Sequence, residues 1–137
     1  MTLTAPVEKA IAELRQAFPD AQLGVREDGS GGAYILLDPV DPGPAYAQRE
    51  TWVGFHIVFS YPHADVYPHF VRPDLMRVDG RPAVNPGMGI QSVSWPACDN
   101  RAALQLSRRS NRLNPRTDTA TTKLVKVLGW LSKHEGG

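Results

Sequence analysis

Two neighbouring stretches decide the fold of this chain: residues 55–62 read FHIVFSYP, and residues 67–70 read YPHF. Apolar side chains occupy every second position at the start of the first stretch, which is the period of a β-strand that buries one face. Each stretch also contains a Tyr-Pro pair, and proline has no N–H group to donate to a neighbouring strand. The pattern therefore predicts a strand that ends before Pro62 and a further strand that begins near His69.

The segment that precedes the strands has the pattern of an amphipathic helix over residues 6–17. Thr4 can cap its first turn, and Pro6 suits the first helical position. Four apolar residues follow at helical spacing: Val7, Ile11, Leu14 and Phe18. The spacing predicts one buried stripe that faces the sheet.

Four strands are predicted between this helix and the middle of the chain. Residues 22–26 and 33–38 predict a hairpin, because a glycine-rich turn separates them. The third strand is predicted over residues 51–59. The fourth is predicted over 69–78, where a proline makes it an edge or irregular strand. Because the strands follow one another along the chain, they predict an antiparallel meander.

The second half of the chain begins with a stretch that lacks any sustained period. Residues 79–100 are rich in proline and glycine, which predicts a long ordered loop with at most short strand pieces. Residues 118–133 then predict a C-terminal helix, capped by Thr117 or Asp118. The predicted fold class is α+β: an N-terminal helix, a four-stranded antiparallel meander, a long loop that carries the active site, and a C-terminal helix.

Composition limits the classes of function. The 137 residues, 42% of them hydrophobic, suffice for one core and not for two typical domains, which predicts a single domain over residues 1–137. A formal charge of +1 provides no overall field for nucleic acid or an anionic membrane. No apolar run approaches the roughly 20 residues of a membrane span, and the N-terminus lacks a secretory pattern. We therefore expect a cytoplasmic protein that binds neither nucleic acid nor membrane.

The chain contains one cysteine, Cys98, which lies in the predicted long loop. A single cysteine forms neither an internal disulfide nor a zinc site with several thiolates. Five arginines follow it, at 101, 108, 109, 112 and 116, and nearby cations favour the thiolate form. Cys98 is therefore a candidate nucleophile. The structural alternative is a small buried hydrophobe, which is a common role of free cysteine.

The paired Tyr-Pro motifs at 61–62 and 67–68, the order of the elements and the downstream thiol resemble the ubiquitin-conjugating enzyme family, as a divergent member similar to prokaryotic counterparts of that pathway. The resemblance implies that Cys98 carries a ubiquitin-like protein as a thioester and transfers it to an amine or a thiol. It implies no cofactor and no metal. The expected partners are a ubiquitin-like modifier and an activating enzyme of the ubiquitin type.

The resemblance also directs attention to the residues around the thiol. The family's oxyanion-supporting His-Pro-Asn triplet is missing, so Asn100 and Asn85 are the candidate amide donors. Six residues are expected to contact partners: Tyr61, Pro62, His69, Arg101, Arg108 and Arg109.

A second departure leaves another function open. Residues 104–106 resemble the segment that directly follows the family's cysteine, and in that alignment Cys98 lies several residues early. The alternative is a catalytically inactive relative that binds a modifier or serves as a scaffold.

Two further patterns offer alternatives. His63 and Asp65 have the His-x-Asp spacing of iron sites, with His56, His69 or His134 as a third ligand, which would suit a metal-dependent oxygenase. The run 108–112 reads RRSNR and has the chemistry to bind phosphate or RNA. It is short and lacks interleaved aromatic residues, so a solvated or acid-paired surface is the simpler interpretation.

Overall fold

The computed structural model describes residues 2–133. It contains two α-helices and six strands. In chain order these are α1 (Ala5–Ala17), β1 (Gln22–Glu27), β2 (Ala33–Val40), β3 (Thr51–Ile57), β4 (His69–Val71), β5 (Ile90–Trp95), β6 (Arg101–Leu106) and α2 (Ala120–Lys133). All strand pairs are antiparallel, and the order across the sheet is β1-β2-β3-β4-β6-β5. The α+β class, with a helix before and after an antiparallel sheet, is confirmed.

Both helices begin after a threonine whose hydroxyl oxygen caps the first turn. Thr4 caps α1, because its Oγ1 accepts a hydrogen bond from Val7 N at 3.3 Å. The cap of α2 is Thr119, whose Oγ1 accepts from Thr122 N at 3.1 Å, and not the predicted Thr117 or Asp118. Asp118 instead accepts a hydrogen bond from Asn114 N at 2.8 Å and closes the preceding turn.

The prediction of four strands is wrong, because the region predicted as a long loop contains β5 and forms a hairpin with β6. Strand β6 pairs with β4, so the hairpin extends the sheet through a contact between distant parts of the chain. The fourth strand also ends at Val71 and not at residue 78. Strand β3 ends at Ile57, and Phe59 beyond it is 60% exposed.

One face of the sheet is covered by the two helices. Val53, Phe55 and Ile57 of β3 are fully buried in one core with apolar residues of α1 and α2, among them Leu14 and Leu124. This burial of large apolar side chains is the main stabilising contribution of the fold. The Tyr61 hydroxyl fixes the start of α2, since it accepts a hydrogen bond from Ala120 N at 2.9 Å.

In the described part of the chain the other face of the sheet carries no helix, and the β5–β6 hairpin curls over part of it. The Trp95 ring lies directly on Gly54 of β3, where a Cβ atom would collide with the ring. Trp95 also stacks on Phe70, with ring centroids 4.8 Å apart, and lies parallel to Trp52 at 6.2 Å. Glycine at position 54 thus makes room for the hairpin to fold back.

None of the helices in the described part of the chain is both long and apolar enough to cross a membrane.

Candidate functional site

The first candidate site is the turn of this hairpin, residues 96–100, which we call the hairpin tip. A single 3-10 turn, Pro96–Cys98, follows β5, and both residues after it adopt left-handed backbone conformations, with φ of 55° at Asp99 and 56° at Asn100. Asparagine and aspartate tolerate this conformation better than other residues with a side chain. Cys98 is partly exposed at this tip and lies outside the core.

The tip is tethered to the opposite edge of the sheet. Arg26 of β1 donates a hydrogen bond from Nη1 to the carbonyl of Ala97, the residue before Cys98, at 3.1 Å. Within the tip, Ser94 Oγ donates to the Asn100 carbonyl at 3.0 Å. With Trp95 packed on Gly54, these contacts hold the cysteine over the strands of the uncovered face.

A histidine and an aspartate lie on the same face. His56 of β3 is opposite Tyr34 of β2, which in turn is opposite Arg26 of β1, so the three form a row across the sheet. The Tyr34 and His56 rings stack with centroids 4.2 Å apart. His56 Nε2 is 2.7 Å from Asp28 Oδ2. The sequence offers His56 only as a possible third metal ligand and does not pair it with Asp28.

The environment of Asp28 holds it as a carboxylate. Burial alone would raise its pKa, but hydrogen bonds from His56 and from the N–H groups of Ser30 and Gly32 lower the pKa of Asp28 below its usual value. The pairing of His56 with Asp28 can be inferred from the sequence only once β2 and β3 are known to be neighbouring strands. The glycine-rich turn by itself signals no more than a hairpin.

The structure does not assemble all the predicted residues around the thiol. Asn100 is exposed at the tip beside Cys98. Asn85 exchanges backbone hydrogen bonds with Ile90, at the start of β5, whereas Cys98 follows the end of β5. Strands rise by about 3.3 Å per residue, so Asn85 and Cys98 lie at opposite ends of this strand.

The arginines that follow Cys98 in sequence also separate from it. Arg101 lies over the Trp52 ring at 4.9 Å, on the uncovered face. Arg108 lies over Trp130 of α2 at 4.7 Å, and Arg109 lies over Tyr67 at 4.8 Å. The last two therefore belong to the helix side of the sheet and not to the surroundings of the thiol.

Two residues expected to contact partners are structural. His69 is fully buried, and its two ring nitrogens have no hydrogen-bond partner among residues 2–133. Burial, and then the charge of Lys123, lower the pKa of His69 to about 3, so the ring is neutral. Because it has no exposed surface, the expectation that His69 contacts a partner is wrong. Tyr61 is 7% exposed and anchors α2, whereas Pro62 keeps part of its surface accessible.

The predicted metal pair does not converge either. Asp65 Oδ1 and Oδ2 accept hydrogen bonds from Ser110 Oγ and Ser110 N, at 2.9 and 2.6 Å, and Oδ2 lies 3.1 Å from Lys123 Nζ. Within residues 2–133 no three His, Cys, Asp or Glu side chains are placed to hold a metal ion. His134, the remaining candidate ligand, lies outside the described residues.

Searches of protein-family models, curated proteins and solved structures find no match to this chain.

Proposed function

We propose that this chain is a ubiquitin-conjugating-like enzyme that carries a ubiquitin-like protein as a thioester on Cys98. The observation that carries the proposal is the position of Cys98, partly exposed at a tethered hairpin tip on the face that no helix covers. The Tyr-Pro pairs between β3 and β4 and the helix-sheet-helix order support the resemblance. A cognate activating enzyme and a ubiquitin-like modifier would be its partners.

The reaction is a thioester exchange. The Cys98 thiolate attacks the carbonyl carbon at the modifier's C-terminus, a new C–S bond forms, and the C–S bond to the activating enzyme's thiol breaks as that thiolate leaves. Asn100 is the proposed donor to the transient oxyanion, because its exposed side chain follows closely after the thiol while its carbonyl is held by Ser94. An acceptor amine or thiol then displaces Cys98.

The test is an incubation of the protein with modifier, activating enzyme and ATP. We expect an adduct that a reducing thiol removes, that is absent in Cys98→Ala, and that becomes thiol-resistant in Cys98→Ser, where an oxyester forms instead. Ser92→Ala, which removes an exposed hydroxyl from the same strand and leaves the contacts of the hairpin tip intact, is the matched control. An adduct that persists in Cys98→Ala would refute thioester formation at this residue.

One observation favours a second candidate, a noncatalytic module that binds a modifier or acts as a scaffold. Among the described residues no side chain hydrogen-bonds to the Cys98 thiol, so no base is in place to activate it. In the alternative alignment, the position just before Leu104 is Ala103, which is buried within β6 and offers no nucleophile. This candidate predicts unchanged modifier binding in Cys98→Ala and no adduct with the native chain.

The alkylation rate of Cys98 separates the two candidates before any partner is known. A nucleophile poised for thioester exchange is alkylated in the folded chain at least as fast as in the denatured chain, because the thiol must be accessible and reactive. A thiol without a catalytic role is alkylated faster only after unfolding.

A further inference from the structure

A second concave surface lies on the helix side of the sheet, between the loop at 108–112 and helix α2. It is an open cavity of about 460 Å³, which lies within the size range of small-molecule sites, roughly 300–1,000 Å³. We call it the basic groove. Residues 108–112 form one wall. The other wall is formed by Asp118, from the loop before α2, and by Lys123, Lys126 and Trp130 of α2.

The groove carries a larger net positive charge than the whole chain does. It contains five cationic side chains, Arg108, Arg109, Arg112, Lys123 and Lys126, against the carboxylate of Asp118 and that of Asp65 behind Lys123. Three positive charges remain here, whereas the whole chain carries a formal +1. The rest of the chain is therefore net acidic, and an anion is attracted to this surface specifically.

Two of the guanidinium groups are held in place by aromatic rings. Arg108 lies over Trp130, and Arg109 lies over Tyr67, whose pKa a hydrogen bond from Arg109 lowers. A stacked guanidinium loses less side-chain entropy when its N–H edge binds an oxyanion. Within residues 2–133, none of Arg108, Arg109 and Arg112 forms an ion pair with a carboxylate. The sequence favours a solvated or acid-paired surface, and these three exposed arginines fit the solvated alternative.

The base of the groove is rigid. Asp65 binds both the backbone and the hydroxyl of Ser110, and Lys123 Nζ lies 2.9 Å from Ser110 Oγ. Burial alone would raise the pKa of Asp65, but hydrogen bonds from Ser110 and Lys123 hold it below its usual value, so Asp65 stays ionised. This cluster fastens the middle of the arginine-rich loop to α2.

We propose that the basic groove binds a small molecule that carries a diphosphate group, with Arg108, Arg109 and Arg112 as its ligands. Guanidinium groups match phosphate oxygens through paired N–H donors, and five cations suit a ligand with more than one negative charge. Arg108 occupies one face of Trp130 and Arg109 one face of Tyr67, so cations lie where a nucleobase would stack. The phosphates, and not a base, are thus the recognised part, which argues against single-stranded RNA.

Titration calorimetry on the full chain, at physiological ionic strength, tests the proposal with inorganic pyrophosphate as the probe. We expect saturable one-to-one binding that Arg112→Gln weakens about tenfold or more. Arg116→Gln is the matched control, because Arg116 is an exposed arginine of the same loop that does not line the groove. Cys98→Ala should bind pyrophosphate like the native chain, so this result is independent of the proposed thioester chemistry.

Further ligands identify the recognised group. Adenosine diphosphate should compete with pyrophosphate, whereas adenosine alone should not bind. Three outcomes would each overturn the proposal: no saturation by pyrophosphate, equal loss of affinity in Arg112→Gln and Arg116→Gln, or binding of sulfate at matched ionic strength as tight as that of pyrophosphate.

Discussion

The hairpin tip and the basic groove lie on opposite sides of the same sheet and are held in different ways. The tip depends on one packed ring, Trp95 on Gly54, and on one long-range hydrogen bond from Arg26. The groove depends on a polar cluster around Asp65 and on guanidinium groups stacked on aromatic rings. Cys98 and the arginines at 108–112 are close in sequence, yet β6 leads the chain from one region to the other. Closeness along the chain therefore does not place these charges beside the thiol.

The packing of the tip is the more sensitive of the two regions to a single change. Trp95 is 5% exposed and lies between Gly54 and Phe70, so Trp95→Ala should lower the free energy of unfolding by about 3–5 kcal/mol. Chemical denaturation measures this change. The same variant should speed alkylation of Cys98 in the folded state, because the tip loses its anchor. A loss below about 1 kcal/mol would contradict a hairpin packed on the sheet.

The next largest effect is expected for the polar cluster around Asp65, on the helix side of the sheet. Asp65→Ala leaves Lys123, which is 8% exposed, without its counter-ion, and removes the acceptor of the Ser110 N–H. Because Asp65 itself is partly exposed, we expect a loss of about 2–3 kcal/mol, less than for a fully buried pair. Chemical denaturation of Asp65→Ala and of Asp118→Ala measures the two losses in the free energy of unfolding. Equal effects of the two substitutions would contradict a central role for Asp65.

His69 should make the free energy of unfolding depend on pH. Its pKa is about 3 in the folded chain and near 6.5 when unfolded, so the unfolded state binds more protons as the pH falls. This contribution to stability is fully present well above pH 6.5 and is lost as the pH falls below it, by about 2 kcal/mol between pH 6.5 and 5. Unfolding curves at several pH values should show this slope, and His69→Leu should flatten it. An unchanged slope in that variant would assign the proton uptake to other groups.

The smallest expected effect concerns the tether. Arg26→Gln removes the hydrogen bond to the Ala97 carbonyl at an exposed site, which should cost about 0.5 kcal/mol. Arg15→Gln, an exposed arginine of α1, is the control and should change stability less. The informative readout is the alkylation rate of Cys98, which should increase in Arg26→Gln only. Equal rates in the two variants would show that the tether does not restrain the tip.

Much of the first half of the fold follows from local pattern. Thr4 caps a helix in which Val7, Ile11 and Leu14 are buried as predicted, whereas Phe18 lies just beyond its end and is partly buried. Three of the four predicted strands appear close to their expected positions. The hairpin of β5 and β6 could not be predicted in this way. Residues 92–95 alternate polar and apolar over only four positions, too few to mark a strand within a proline- and glycine-rich stretch, and the hairpin joins the sheet because β4 offers β6 a partner.

The candidate sites, like the fold, follow in part from the sequence and in part from tertiary contacts. The sequence by itself determined that there is one thiol, that arginine is concentrated at 108–112, and that Tyr-Pro pairs bound the middle strands, because these are properties of residue identity and short spacing. Only the tertiary structure decided that Cys98 lies on the uncovered face with His56 and Asp28, that Asn85 lies at the far end of β5, and that His69 is buried. The reason is that strand order and the curl of the hairpin depend on contacts between distant residues, such as Trp95 on Gly54, which no local pattern encodes.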